Sequence, residues 1–491
     1  MHWAKAAARC TRELVEAARR GQLTEAQARR LYELGPEAVT LVLLAASRRI
    51  AEQNARITAL QGQLHGSVPA PSTPSSMVPV YAKPNVPKRS RRPGAREGHP
   101  GSRRARPVRI DRCLEHRLPR CPDCGGRLQR CHRTRTRIIE DIPEPIQPVV
   151  TEHLIHRDYC PKCKKHVEPI VPHALAHATL GHHLVGLTSW LHYGLGVTID
   201  QIVDILGYHL HTRLTPGGLV QAWQRVAELL SDWYEQIGVQ AKQSAYLHAD
   251  ETGWRVNGQT HWLWCFANAQ VCYYMVDRTR GSPALNRFFT QAFDGVLITD
   301  FWSAYASVQA RDRQYCLVHL LRELEKVDQT NASAAWRRFA RHLRRLLRDA
   351  LRLRRRRRSG LSAERYQRRC NRLNRRLAAL ADGLYRDPDA RRLAERLSRH
   401  REYLLTFLDY AEVPADNNFA ERQIRPAVVL RKNSQSNRSE RGAATQGVLM
   451  SVYRTLKLRG LDPTQTIAEA LKTCVLTGQL PPLPAAPIAE D

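Results

Sequence analysis

The stretch YLHADETGWRVNGQTHWLWCFA, residues 246–267, decides the fold of the central part of the chain. Two runs rich in apolar and aromatic residues flank Asn257 and Gly258. Both residues of an Asn-Gly pair accept positive φ, and such a pair between two apolar runs is the strongest short-range signal for a β-hairpin. We therefore expect antiparallel strands over 246–256 and 259–267.

The segments that follow this hairpin extend the pattern into an α/β core. Expected next are a strand over 271–276, a helix over 282–293, a buried strand over 295–299, a helix near 303–308 and a strand over 315–318. Three antiparallel strands followed by helix, strand, helix and strand are the order of an RNase H-like core. The predicted fold class is therefore multidomain α/β with an RNase H-like catalytic core.

The overall charge indicates a polyanionic partner. Lys and Arg outnumber Asp and Glu by 77 to 46, and the formal net charge is +31. Nucleic acid is the first partner to consider for such a chain. We expect no membrane partner, because no apolar run reaches the roughly 18 residues of a bilayer span.

The start of the chain bears on the expected location. Residues 1–20 are charged throughout and lack the apolar core of a secretory signal. The twelve cysteines are then expected to be reduced thiols or metal ligands, and the expected compartment is the cytoplasm.

Residues 1–64 are predicted to form a helical segment for oligomerisation. Leu43, Ile50, Ile57 and Leu64 recur every seven positions, and Leu60 joins the same face. This spacing is typical of a coiled-coil seam and favours a homo-oligomer. The alternative is an amphipathic helix that packs on its own domain.

Residues 65–109 are predicted to be a disordered, basic, Pro-rich linker. Residues 68–76 are rich in Pro and Ser, and residues 88–106 place many arginines among Gly and Pro. A flexible basic arm can follow a phosphate backbone or enter a minor groove, and a merely solvated segment is the alternative.

Residues 110–172 are predicted to form a zinc ribbon. Cys121-Pro-Asp-Cys124 and Cys160-Pro-Lys-Cys163 are two Cys-x-x-Cys knuckles, and four thiolates suit one structural Zn²⁺. Residues 137–142 and 148–156 have strand-like patterns and would form a hairpin between the knuckles. A redox role is the alternative for a single Cys-x-x-Cys. Nearby residues that could substitute as ligands are Cys113, His116, Cys131, His132, His153, His156 and His166.

Residues 173–240 are predicted to form a helical, helix-turn-helix-like DNA-binding domain. Thr198 can cap a helix that runs through Leu206. Thr215 can cap a second helix with Pro216 at its first position. Two helices joined by a short turn are typical of helix-turn-helix units, although many helical hairpins bind nothing.

Three carboxylates far apart in the chain are the candidate catalytic residues: Asp250, Asp300 and Glu421. Asp250 shares a strand face with Tyr246, His248 and Thr252, and Asp300 ends the fourth strand. In RNase H-like folds the first strand lies beside the fourth, so both side chains can meet at one end of the sheet. Glu421 lies on a helix that Asp416 or Asn417 can cap. Carboxylate oxygens suit Mg²⁺ or Mn²⁺, and a pair of such ions about 4 Å apart catalyses phosphoryl transfer.

The alternatives at these positions are ordinary structural roles. Asp250 could be only a strand-end charge, and Glu421 only an i,i+4 partner of Arg425. Glu251 is the main rival for the role of Asp250, and Asp294 is a weaker rival for that of Asp300.

The carboxyl-terminal half completes the predicted organisation. Its parts are the first part of the catalytic core over 241–319, a helical Arg-rich insertion over 320–411, the second part of the core with the Glu421 helix over 412–480, and a tail over 481–491.

Several stretches of the chain resemble transposases of the insertion sequence 66 family, a bacterial DDE-type group. Gly98-His-Pro-Gly101 and the two cysteine knuckles match its amino-terminal half. The further matching stretches are Asp250-Glu-Thr-Gly-Trp254, His261-Trp-Leu-Trp264, Thr299-Asp300 with Tyr305, Cys316-Leu-Val-His319, Asp416-Asn-Asn-Phe-Ala-Glu421-Arg-Gln-Ile-Arg-Pro426, Arg431-Lys-Asn433 and Thr455 through Gly460-Leu-Asp-Pro463.

The resemblance implies a function and its partners. Asp250, Asp300 and Glu421 would be the DDE triad that binds Mg²⁺. The partners would be double-stranded DNA at the element ends and the target, with accessory proteins of the same element as further candidates. The location would be the bacterial cytoplasm, in association with the nucleoid.

Five basic residues are candidate DNA contacts: His319, Arg422, Arg425, Arg431 and Lys432. The Cys316-x-x-His319 pattern resembles a signature of several DDE transposases, in which the histidine approaches the scissile strand. Half a metal site or a core position is the alternative for His319, and plain surface charge is the alternative for Arg431 and Lys432.

The sequence therefore predicts a metal-dependent DNA transposase that hydrolyses a phosphodiester at the element ends and joins the 3′-hydroxyl to target DNA. A zinc-containing DNA-binding protein without catalysis and an RNase H-like nuclease without strand transfer remain the alternatives.

Overall fold

The computed structural model describes residues 14–17, 23–65, 107–129, 136–139, 146–357 and 360–487. The chain divides into two compact units, Met1–Pro87 and Lys88–Asp491. Almost all of the predicted linker, and the last four residues of the predicted tail, lie outside the described residues.

The described part of the first unit is helical. Helix α1, Glu25–Glu33, begins at a capping box between Thr24 and Gln27, and α2 runs over Pro36–His65. A small core buries Leu14, Leu31, Ala38 and Val42. Two members of the predicted seam, Leu43 and Ile50, are 64% and 58% exposed. The side chains of the other three, Ile57, Leu60 and Leu64, lie outside the described residues, so the coiled coil stays a prediction.

The second unit contains a small hairpin and a five-stranded sheet. The hairpin strands are β1, Asp158–Cys160, and β2, Lys165–Val167. The strands of the larger sheet are β3, Tyr246–Val256, β4, Gln259–Ala267, β5, Cys272–Asp277, β6, Phe293–Thr299, and β7, Ala310–Tyr315.

The helices of the second unit precede, interrupt and follow the larger sheet. Short 3₁₀ turns cover Ser303–Ser307, Arg401–Tyr403 and Thr406–Leu408, and a π-helical turn covers Trp190–Gly194. The α-helices are α3, His182–Ser189, α4, Ile199–His209, α5, Pro216–Leu229, α6, Ser231–Lys242, α7, Ser282–Phe288, α8, Leu317–Thr330, α9, Ala334–Arg357, α10, Ala363–Ala381, α11, Pro388–His400, α12, Asn418–Ser434, α13, Glu440–Leu458, and α14, Pro463–Thr477.

The larger sheet is mixed, in the order β5-β4-β3-β6-β7. Strands β3, β4 and β5 are antiparallel neighbours, whereas β6 runs parallel to both β3 and β7. Asn257 and Gly258 form the β3–β4 turn with φ of 48° and 74°, as their sequence predicts. The first strand therefore lies beside the fourth, the neighbour relation that the sequence also predicts.

The sheet is covered on both faces. Along β6, Leu297 packs into a core shared with α3–α6 and α13. The flanking Val296 and Ile298 pack into a second core with α8–α11. Burial on both faces explains why β6 is a continuous apolar run rather than an alternating one. Helices α9–α11 lie within the Arg-rich segment over 320–411.

Two predicted elements of the core are wrong in part. No strand covers 315–318: β7 ends at Tyr315 and α8 begins at Leu317. Leu317, Leu320 and Leu324 are buried along one face of α8, so the apolar run is the start of an amphipathic helix. The helix predicted over 282–293 ends at Phe288, because Phe293 already pairs with Ala310 at the start of β7.

The strands predicted between the two cysteine knuckles are not found in the part of that region that the structure describes. Residues 137–139 and 148–156 are irregular, and the hairpin is β1–β2 around the second knuckle. Val149, Val150 and Leu154 are exposed. Strand-like residues with no apolar layer to cover them gain little from pairing, which accounts for the difference.

The predicted helical pair has the expected caps. Thr198 caps α4 in a capping box with Gln201, and α4 continues to His209 rather than Leu206. Thr215 caps α5, with Pro216 at its first position. Among the described helices, none has the length and apolar character that crossing a bilayer requires.

Candidate functional site

Asp250 lies in the middle of β3 on the strand face that also carries His248 and Thr252. Both of these neighbours contact α12. Asn417 Oδ1 accepts a hydrogen bond from His248 Nδ1 at 2.9 Å, and Arg431 Nη1 donates to Thr252 Oγ1 at 3.0 Å. The face of Asp250 is therefore the face on which α12 packs.

Asp300 follows the end of β6. In the parallel pairing of β3 with β6, His248 lies opposite Ile298, so continuing the register by two residues brings Asp250 level with Asp300. The Asp300 carboxylate accepts a hydrogen bond from the Trp302 backbone N–H at 2.9 Å. This bond holds the carboxylate at the end of the sheet where the chain turns away.

Glu421 lies in the first turn of α12. The N-cap of this helix is Asn417, one of the two predicted caps, although its side chain makes no capping bond; Asp416 accepts from the Asn418 N–H at 3.0 Å just before the helix. Arg322 of α8 donates to both carboxylate oxygens of Glu421, at 3.2 and 3.4 Å. Within the described residues, no ion pair links Glu421 to Arg425.

Burial and the charges of neighbouring carboxylates raise the pKa values of the two aspartates. Burial raises the pKa of Asp250 well above its usual range, and the charges of Glu251 and Asp300 raise it further. Glu421 adds to this effect on Asp250 and also raises the pKa of Asp300. The pKa of Asp300 is raised mainly by burial, although the Trp302 N–H and Arg280 offset part of the rise. Negative charge thus accumulates at one end of the sheet.

The donor chemistry of these carboxylates suits a hard divalent cation, because buried carboxylates near other negative charges are stabilised by positive charge. Their oxygens are not gathered around one point. Across the described ranges, no three His, Cys, Asp or Glu side chains are close enough together to hold a metal ion. The three carboxylates therefore suit a divalent cation by their chemistry and charge, and not by their arrangement around one point.

Glu251, the rival of Asp250, is committed to a buried ion pair on the opposite strand face. It accepts from Arg280 Nε and Nη2 at 2.9 and 2.7 Å and from the Tyr305 hydroxyl at 2.5 Å. The side chains of Glu251 and Arg280 are 2% and 9% exposed. The Arg280 guanidinium lies over the rings of Trp262 and Trp302, at 4.7 and 4.1 Å.

Arg280 was not predicted as part of the site. The available signal was indirect: a glutamate inside an apolar strand requires a counter-charge when it is buried. Nothing in the sequence distinguishes Arg280 from Arg278 two residues earlier as that counter-charge.

Asn417 is a second residue whose role sequence reasoning missed. Its Nδ2 donates to the Ala249 carbonyl at 2.8 Å while its Oδ1 accepts from His248, so it spans the two residues before Asp250. Its backbone N–H donates to Cys316 Sγ at 3.1 Å. Burial lowers the pKa of His248 to about 4, so this histidine is neutral where it meets Asn417. Asn417 therefore fixes the start of the Glu421 helix beside Asp250.

The predicted DNA contacts divide into two kinds. Arg422, Arg425 and Lys432 are exposed on α12. Arg431 is instead half-buried and donates to the Gly253 carbonyl as well as to Thr252, so it ties α12 to β3.

His319 lies beside the carboxylates. Its Nε2 is 3.7 Å from Glu421 Oε1, and its buried Nδ1 has no hydrogen-bond partner among the described residues. Burial lowers the pKa of His319, and the Glu421 charge opposes that shift.

Asp294, the alternative to Asp300, lies at the other end of β6, where it is 89% exposed and pairs with Arg311.

Each cysteine knuckle has the local geometry of half a zinc site. The Gly125 N–H donates to the Cys121 carbonyl at 2.9 Å, and Gly125 has φ of 71°. Backbone N–H groups lower the pKa of two of the thiols, with Cys124 the main donor to Cys121 and Cys163 the main donor to Cys160. Thiols that ionise readily suit Zn²⁺.

The two knuckles are not gathered around a common point within the described residues. Each knuckle by itself therefore suits zinc, whereas the two together do not form a four-cysteine site in this structure. Of the substitute ligands, Cys131 and His132 lie outside the described residues, and His153 stacks on His173 with ring centroids 5.3 Å apart.

Comparison with known proteins gives two matches to family models. The model described as "Transposase IS66 family" matches residues 177–445, more than half of the chain, including Asp250, Asp300 and Glu421. The model described as "zinc-finger binding domain of transposase IS66" matches residues 119–164, including all four knuckle cysteines.

Two curated relatives come from Sinorhizobium fredii. The chain is 23% identical to the uncharacterized protein y4jD over 415 residues, which cover 75% of this chain and 77% of that protein. It is 25% identical to the uncharacterized protein y4qI over 299 residues, which cover 50% of this chain and 52% of that protein.

Proposed function

The chain belongs to the transposase IS66 family, and from this premise we propose that it is a DDE-type DNA transposase whose catalytic carboxylates are Asp250, Asp300 and Glu421. The observation that carries the proposal is that the pKa values of Asp250 and Asp300 are both raised, mainly by burial, with Glu421 contributing to both and Asp300 to that of Asp250. Strongly perturbed carboxylates that face one another are typical of functional sites.

We also propose that the larger sheet is an RNase H-like core. Its strand order, three antiparallel strands followed by two parallel ones, supports this assignment. The two aspartates then lie at adjacent strand positions and the glutamate lies on a helix that packs over them.

Asp250, Asp300 and Glu421 would hold Mg²⁺ or Mn²⁺, as a pair of ions. Such ions, when bound, activate water and neutralise charge on the phosphoryl group. The chain's own residues orient the site: the Trp302 N–H holds Asp300, Asn417 holds the Glu421 helix, and Arg322 neutralises Glu421.

The proposed reaction has two phosphoryl transfers at one site. Water first cleaves a phosphodiester at the element end and leaves a 3′-hydroxyl. That hydroxyl then attacks a phosphodiester of the target DNA. Positioning and charge neutralisation supply most of the rate in such reactions. Arg422, Arg425 and Lys432 are exposed on the Glu421 helix and would contact the phosphates, with His319 beside the scissile strand.

The other regions would recognise and pair the DNA ends. The zinc-finger match supports a DNA-binding role for residues 119–164, with one structural zinc ion held by Cys121, Cys124, Cys160 and Cys163. The α4–α5 pair and the basic arm would add contacts, and residues 43–64 would join chains into a homo-oligomer that holds two ends together. Accessory proteins of the same element are further expected partners.

Asp300→Ala tests the catalytic assignment. We expect the variant to lose Mg²⁺-dependent nicking of DNA that carries the element ends by at least about 1000-fold, a typical cost of removing a group that acts in the transition state. Binding of the same DNA should remain, because Asp300 faces the carboxylates and not a phosphate.

Asp294→Ala is the matched control, since this aspartate lies on the same strand but is exposed and remote from the carboxylates. If the Asp300→Ala variant nicked DNA as fast as the Asp294→Ala control, the proposed site would be refuted and a DNA-binding protein without catalysis would be favoured. Joining of a pre-cut 3′-end to target DNA separates a transposase from a simple nuclease.

A further inference from the structure

Helix α9 of the Arg-rich insertion has two faces of very different character. One face packs into the insertion core through Phe339, Leu343, Leu346, Leu347 and Leu353. The opposite face carries arginines at intervals of three or four residues. We name these five residues the arginine face: Arg337, Arg341, Arg345, Arg348 and Arg352.

The other residues that the structure describes do not neutralise the arginine face. Among the described residues, none of its five side chains forms an ion pair or a hydrogen bond with another residue. The two nearby aspartates are already occupied, Asp328 by Arg344 and Asp349 by Arg376. Asp349 is also the only acidic residue in α9. Like charges one turn apart destabilise a helix, so this face costs stability unless an external anion binds.

The arginine face lines an open groove of about 640 Å³, with Ala332 as its one apolar lining residue. The groove continues, through Asp349 and Arg352, into a second one of about 330 Å³ between α9 and α10. Arg369 and Arg372 of α10 line this continuation. With a rise of about 1.5 Å per residue, the arginine face alone extends over about 22 Å.

We propose that this groove is a second DNA-binding surface, which holds the phosphate backbone of a duplex away from the catalytic carboxylates. The choice of DNA as the polyanion rests on the proposed function. Guanidinium groups match phosphate oxygens in geometry, and a row of them about 5–6 Å apart follows an extended anion. An acidic protein is a poorer match, because protein interfaces need apolar anchors, and the lining of the larger groove offers only Ala332.

The phosphate contacts are sequence-independent and predict a specific dependence on salt. Each phosphate neutralised by a cationic side chain contributes about 0.9 to the slope of log K against log salt concentration for duplex DNA. Replacing Arg341, Arg345, Arg348 and Arg352 with glutamine should therefore reduce the slope by about 3–4. Glutamine retains helix propensity, so the helix itself is preserved.

The experiment measures binding of the full-length chain to a fluorescent DNA duplex of arbitrary sequence between about 50 and 200 mM salt. The matched control replaces four exposed arginines that do not line either groove, Arg368, Arg375, Arg386 and Arg391, with glutamine. Both variants lose the same charge, and thermal unfolding followed by circular dichroism verifies that both remain folded.

A slope reduced by about 3–4 in the groove variant and by less than about 1 in the control supports the proposal. Equal slopes in the two variants overturn it and leave an acidic protein as the remaining occupant. This test does not depend on catalysis, so the two proposals can fail separately. If the chain never nicks DNA, the groove can still be shown to bind it. If the groove variant binds DNA normally, nicking that depends on Asp300 can still be shown.

Discussion

At Asp250, burial and the neighbouring charges of Glu251, Asp300 and Glu421 all act in the same direction on one carboxyl group. Each raises the pKa of Asp250, and the Glu251 backbone N–H opposes them. A folded state that holds a proton more tightly than the unfolded state is destabilised when that proton leaves. Without a bound cation, ionised Asp250 therefore lowers the stability of the folded chain. Functional sites commonly tolerate such a loss.

Asp250→Asn should stabilise the cation-free chain by about 0.5–2 kcal/mol near pH 8, as substitutions that relieve strain at functional sites do. The stability contributed by a carboxyl with a raised pKa is fully present below its ordinary pKa and is lost as pH rises through the raised value. The advantage of asparagine should thus vanish toward pH 4 and grow above it. Urea unfolding at several pH values measures the difference.

The control for this prediction is Asp294→Asn, which alters an exposed carboxylate and should change stability by less than about 0.5 kcal/mol. A gain at Asp250→Asn that does not vary with pH would contradict the electrostatic explanation. Added Mg²⁺ should stabilise the unsubstituted chain more than the Asp250→Asn variant.

At the scale of elements, the position of α12 depends on Asn417. Strand β3 and helix α12 are joined by its two side-chain hydrogen bonds, whose partners are 168 and 169 residues away in the chain. Its backbone bond to Cys316 adds the start of α8, and the Cys316 N–H in turn donates to the Thr299 carbonyl at the end of β6. One buried amide thus links β3 to the starts of α8 and α12, and Cys316 extends the link to the end of β6, so that all four elements that carry the candidate carboxylates and His319 are joined.

Asn417→Ala should destabilise the chain by about 2–4 kcal/mol, because it leaves the Ala249 carbonyl and His248 Nδ1 buried without partners. The midpoint of urea unfolding measures this loss. Asn418→Ala is the control, since no side-chain hydrogen bond of Asn418 is found within the described residues, and it should cost less than about 0.5 kcal/mol. A similar loss in both variants would mean that Asn417 acts only as a helix-start residue.

At the scale of the whole molecule, the zinc region needs a long-range contact that neither knuckle supplies alone. The two Cys-x-x-Cys pairs are separated by about 35 residues, and the described residues between them are irregular up to β1, which begins at Asp158. Only a bound ion or the surrounding chain can hold the pairs together. The apolar residues of this segment, such as Val149 and Val150, are exposed and supply no core.

The purified chain is therefore expected to contain a single zinc ion, measured by elemental analysis, with four thiolate ligands. Cys160→Ser should release most of the zinc and loosen residues 119–164 toward protease. Cys113→Ser should retain the metal, because Cys113 lies outside both knuckles. Retention of zinc by both variants would show that other side chains are the ligands.

The sequence itself determined the elements of the core and the identity of the candidate carboxylates. Asn257 and Gly258 specify their turn because few residues accept positive φ. The caps at Thr198 and Thr215 specify helix starts because their hydroxyls satisfy free N–H groups within the same turn. Asp250, Asp300 and Glu421 could be singled out because a charge in an apolar pattern, in a very basic chain, requires an explanation.

Tertiary structure alone decided which partner each of these groups meets. Arg280 rather than Arg278 neutralises Glu251, Arg322 rather than Arg425 pairs with Glu421, and Arg431 binds the β3 backbone. It also decided that residues 315–318 are not a strand, because α8 has a core to bury its leucines. Local signals depend on the few residues next to each position, whereas these contacts depend on how distant elements pack, and that information is spread over the whole chain.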